Sequence, residues 1–89
     1  MTAPPRILTV RGSGDLERLL ELANRQRRIA DGLAHDIQTQ GLTPGAAAEV
    51  ALRECRHRRE HERLMAAARK FQATGEQVSI DLNAEDATA

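Results

Sequence analysis

Glu54, His57 and His61 stand at steps of three and four, so a helix drawn through them brings two imidazoles and a carboxylate onto one face. Such a set could ligate zinc or another divalent ion, although a closed tetrahedral site takes four ligands. Cys55 projects from a different side of that helix, and His35 lies several turns away in any folded-back chain. A second copy would have to complete the site. The same spacing also makes a polar stripe on a helix interface, and this plainer reading leads, so no metal and no cofactor are expected.

Charge is the second chemical signal. Arg25, Arg27 and Arg28 form one group, and Arg56, Arg58, Arg59 and Arg63 form another, a pattern that could clamp phosphate or contact a partner. Glu60 and Glu62 interleave with the second group, and Phe71 is the lone aromatic, so nothing is available to stack bases. Catalytic patterns are missing from the sequence: there is no nucleophile elbow and no Gly-rich phosphate loop, and the chain reads as a non-enzyme. Ser13, between two glycines, is most simply a turn and a helix cap. Cys55 beside arginines could form a thiolate, and a small apolar role in mid-helix fits equally well.

The elements that must position these residues are organised around Gly41-Leu42-Thr43-Pro44-Gly45. Gly41 suits the left-handed position that ends a helix, Thr43 supplies an N-cap oxygen, and Pro44 fits the first helical position. Upstream, a helix is predicted over 15–40, capped by Ser13 or Asp15. Leu16, Leu19, Leu20 and Ala23 form one apolar cluster on it, and Ile29, Ala30, Leu33, Ala34 and Ile37 form another. Gln26 and Arg27 interrupt the stripe between them. Downstream, a second helix is predicted from Pro44 to about Ala73, with an Ala-rich start, a charged middle and an apolar end of Leu64, Met65, Ala68 and Phe71.

Folding these helices antiparallel about Thr43 sets residue n opposite about 86 minus n. Leu16 to Ala23 then face Leu64 to Phe71, and Ile29 to Ile37 face Val50 to Cys55. The polar stretch 25–28 meets 58–61, with the arginines expected against Glu60 and Glu62 as a layer that fixes register. Short strands are predicted at 6–11 and 77–82, where Val78, Ile80 and Leu82 alternate with polar residues. The register brings residue 78 near residue 8, so the strands pair within one chain or across a dimer.

The expected architecture is thus mainly α: an antiparallel two-helix hairpin flanked by two short terminal β-strands, in the order β-α-α-β. A disordered lead-in is expected over 1–5, one domain over 6–82 and a disordered acidic tail over 83–89. At 89 residues the chain buries only about 60 to 65% of its unfolded surface. With its near absence of aromatics, it is expected to assemble as a homo-oligomer, in the first instance a dimer, along a seam of Leu16, Leu19, Leu20, Ile29, Leu33, Ile37, Val50, Leu64 and Phe71.

Formal net charge is zero, yet residues 1–75 hold all 13 basic side chains and 9 of the 13 acidic ones. The basic body keeps nucleic acid open as a partner. No run approaches the ~20 apolar residues of a membrane span or resembles a signal peptide, and a single cysteine gives no intrachain disulfide, so a cytoplasmic chain is expected. Two familiar DNA-binding layouts fit poorly. A helix-turn-helix wants a small residue where Ile37 stands, and in ribbon-helix-helix proteins the helix after the strand is far shorter than 15–40. The leading reading is a small protein–protein interaction module, such as an adaptor, a chaperone-like protein or a regulator. The alternative is a bacterial DNA-binding regulator or antitoxin that uses the arginine faces.

Overall fold

The computed structural model describes residues 6–82. Strand β1 (Ile7–Val10) leads into helix α1 (Ser13–Thr39), which turns into helix α2 (Pro44–Thr74) and then strand β2 (Val78–Asp81). The two helices pack against each other and the two strands pair antiparallel, as the β-α-α-β reading expects. The proposed lead-in 1–5 and acidic tail 83–89 lie outside the described residues.

The hinge is built as the residue types dictate. Gly41 adopts φ +59, and the Gln40 N–H donates to the Asp36 carbonyl at 2.9 Å to close α1. The Thr43 hydroxyl accepts the Ala46 N–H at 3.3 Å, and Pro44 opens α2. At the far end of α2, Gly75 takes φ +69 and its N–H donates to the Phe71 carbonyl at 2.8 Å.

The start of α1 departs from expectation. Gly12 is the N-cap, no side chain caps the helix, and Ser13 is already helical. Asp15 instead accepts the Arg11 N–H at 3.1 Å, because the chain leaving β1 presents that donor before the helix begins.

The strand register is Leu8 with Ile80 and Val10 with Val78, two residues from the expected pairing of 8 with 78. The connection Gly75–Gln77 is one residue longer than Arg11–Gly12, and α2 runs to Thr74 where the hairpin register sets Ala73 opposite Ser13; together these account for the slip. An even shift keeps every side chain on its intended face. Leu8, Val10, Val78 and Ile80 therefore face the helices, while Ile7 lies 59% exposed on the outer face.

Both helices carry seam residues at alternating steps of three and four, the spacing of a coiled coil, apolar toward both ends and polar at Gln26, Glu54, His57 and His61. On α1 the row is Leu16, Leu19, Ala23, Gln26, Ala30, Leu33 and Ile37; on α2 it is Val50, Glu54, His57, His61, Leu64, Ala68 and Phe71. Every member is buried or half-buried. At the open end this seam merges with the ribbon into one core of Val10, Leu19, Ala23, Leu64, Ala68 and Ile80. Toward the hinge the seam continues without a ribbon over it. Among the described residues, no helix is long and apolar enough to cross a membrane.

Candidate functional site: a polar seam layer and the groove beside it

The polar interruption foreseen near mid-hairpin is real, but its partners differ from those expected. The His57 Nδ1–H donates to Gln26 Oε1 at 2.6 Å, and the His61 Nδ1–H donates to the Ala23 carbonyl at 2.8 Å. A carbonyl oxygen can only accept, which places a ring proton on Nδ1 of each imidazole. Each histidine thereby ties α2 to α1. The heptad spacing that passes through Gln26, His57 and His61 is the sequence signal for this layer.

Glu60 and Glu62 do not meet Arg25, Arg27 or Arg28, contrary to the sequence reading. Glu60 is only 7% exposed and is held by Arg63 of the same helix through Nη2 at 2.5 Å and Nε at 3.0 Å. Glu62 lies 3.9 Å from Arg69, also on α2. The spacing along α2 supplies a cation to each carboxylate locally, and the interhelical positions are filled by Gln26 and the imidazoles.

Arg58 donates to Glu54 at 2.7 Å and reaches Asp31 of α1 at 3.3 Å. The hydrogen bond it donates to Glu54 is the main cause that raises its pKa above the ordinary arginine value. The guanidinium is a fixed cation, and an exposed pair of this kind contributes little to stability. Glu54 is thus engaged by Arg58 of its own helix, and among the described residues no three of His, Cys, Asp and Glu could hold a metal ion. Cys55 is exposed, and the ring of His35 is exposed on α1.

The arginines proposed as contact residues are not gathered into one clamp. Arg25, Arg27, Arg28, Arg56 and Arg59 are all exposed, and of these Arg25 and Arg28 share a shallow groove of about 460 Å³ with Glu21, Leu22 and Asn24. Among the proposed seam residues, Leu19 and Leu64 are fully buried within the chain, and Leu16, Leu20, Leu33, Ile37, Val50 and Phe71 are half-buried. Ile29 stands apart, 38% exposed.

Ile29 lines the feature that sequence reasoning missed. A groove of about 330 Å³ opens where the ribbon ends, with Leu22, Ile29, Leu64 and Leu82 as its apolar walls and Arg6, Arg25, Gln26 and Glu60 as its polar ones. Leu82 is set there by its N–H, which donates to the Arg6 carbonyl at 2.7 Å. No periodicity in the sequence announces this groove, because it depends on how far the ribbon reaches along the helices.

The fold and this groove define a helical hairpin with a partial β-cover. No family model matches the chain, and neither a curated protein nor a solved structure is found to be similar to it.

Proposed function

We propose that this chain is a small protein–protein interaction module whose helical hairpin offers an apolar groove to another protein chain. The supporting observation is the groove of Leu22, Ile29, Leu64 and Leu82, which leaves Ile29 38% exposed beside the seam. Apolar walls give affinity through burial, and Arg6 and Arg25 at the rim give orientation. Adaptor, chaperone-like and regulatory roles all use such a surface. Leu19 and Leu64 of the seam are fully buried within the chain, so the surface for binding is the groove and the half-buried edge of the seam that continues from it toward the hinge.

A second reading, a DNA-binding regulator or antitoxin, draws on the exposed Arg25, Arg27, Arg28, Arg56 and Arg59. Sedimentation equilibrium in low and high salt, with and without random duplex DNA, separates the two. Association that resists salt, ignores DNA and is lost in Ile29→Glu supports the module. Binding to DNA that falls steeply with salt would replace it with the regulator reading.

A further inference from the structure

The ribbon covers only half of one side of the hairpin. Its ends, Arg6 and Leu82, line the groove beside Gln26 and Glu60, and Gln26 stands thirteen residues from Ser13 and thirteen from Thr39. Each half of α1 is therefore about 20 Å long at 1.5 Å per residue. The extended stretch from Arg6 to Gly12 also spans about 20 Å at ~3.3 Å per residue. The covered and bare halves match in length, and one is thicker than the other by a layer of strand.

Exposed apolar side chains mark both halves. Ile7, 59% exposed, stands on the outer face of the ribbon near its free end; Ile29, 38% exposed, stands at the start of the bare half. Beyond Ile29, the half-buried Leu33, Ile37 and Val50 continue the bare half toward the hinge.

We infer that a second copy of this chain covers the bare half, related by a two-fold axis through mid-hairpin, so that each ribbon lies on the partner's helices. A surface that is thick on one half and thin on the other, with a step at its midpoint, is complementary to itself under that rotation. Ribbon fills the space above the partner's bare helices, and the partner's ribbon does the same in return. Ile7 and Ile29 lie on either side of the step by similar amounts, so Ile7 of one copy meets the partner's Ile29. The interface is isologous, and the contact occurs twice. Among the described residues only Val10, Leu19 and Leu64 are fully buried large side chains, and the dimer supplies the core that one copy lacks. This inference rests on the interaction-module reading and names its partner.

The test uses the full chain with Cys55→Ser as background. Ile7→Cys and Ile29→Cys are prepared separately, mixed and mildly oxidised. The mixture should give a disulfide-linked band at twice the chain mass faster than either variant alone. Sedimentation equilibrium should show a dimer, and Ile7→Asp should raise its dissociation constant about a hundredfold, since symmetry removes the contact twice. Leu52→Asp, at a position 62% exposed, should leave the dimer unchanged. Ile7 is exposed in the single chain, so helical circular dichroism should persist in Ile7→Asp.

A dimer in which either cysteine variant alone links as fast as the mixture overturns the two-fold arrangement and leaves the module reading standing. A monomer at about 100 µM also overturns it. If that monomer binds a different protein through Ile29, the module reading survives. If Ile29→Glu changes no association of that monomer with any protein, both proposals fail.

Discussion

Replacing Gln26 and His57 together by leucine should stabilise the hairpin, while each single replacement should leave it near its starting stability. Gln26 and His57 are half-buried in the seam and joined by a 2.6 Å hydrogen bond. A fully buried leucine contributes about 1.5 to 3 kcal/mol, so a half-buried one contributes about 1 kcal/mol. A net hydrogen bond is worth about 1 kcal/mol, and removing one partner strands the other in the seam. For Gln26→Leu or His57→Leu alone, the gain and the loss nearly cancel. In the double variant nothing is stranded, two leucines meet across the seam, and the gain should be about 1 to 2 kcal/mol. The double-mutant cycle should therefore show a coupling of about 1 kcal/mol. Urea titrations followed by circular dichroism at 222 nm would measure it, at one fixed protein concentration because association shifts apparent stability. A coupling below about 0.3 kcal/mol would show that the layer carries no interaction energy, and the account of the seam would be wrong.

Other substitutions probe the frame around that layer. Leu64→Ala should lose about 2 to 5 kcal/mol, because Leu64 is 1% exposed in the shared core, whereas Leu52→Ala at 62% exposure should change stability by no more than about 0.5 kcal/mol. Gly41→Ala should lose about 1 kcal/mol from its φ of +59 alone, since an added methyl meets nothing within 4 Å. Gly32→Ala, equally free of contacts but inside α1, should gain about 1 kcal/mol. Equal effects at the two glycines in thermal melts would refute the backbone argument. Thr43→Ala should lose about 1 kcal/mol with the hydrogen bond to the Ala46 N–H, and Thr43→Ser should retain it.

Much of the fold is legible because its punctuation is local. Gly41, Thr43 and Pro44 each carry a backbone preference that needs no distant partner, and together they place the hinge. The alternation of Val78 and Ile80 likewise identifies β2, and its inward face follows from parity alone. Register is less local. A two-residue difference between the expected and observed strand pairing arises from one extra residue in the connection after α2 and one more at the end of α2, and helix spacing carries no information about either.

The candidate site is harder to read for a different reason. Charge patterning suggests which carboxylates have cations nearby but does not rank a partner three residues away on the same helix against one on the neighbouring helix. Glu60 took Arg63 because that bond closes within a single turn of α2, whereas a bond to α1 would have to compete with Gln26 and His57 for the space between the helices. Local pairing then has a consequence for binding. With Glu60 bridged by Arg63, its charge is offset inside the groove, and Arg6 and Arg25 define the electrostatic character of the rim. A surface in contact with that rim gains most from a carboxylate there and an aliphatic side chain against Ile29. Substituting Arg25 by Glu should therefore slow association and reduce its salt dependence, while Ile29→Glu should mainly speed dissociation.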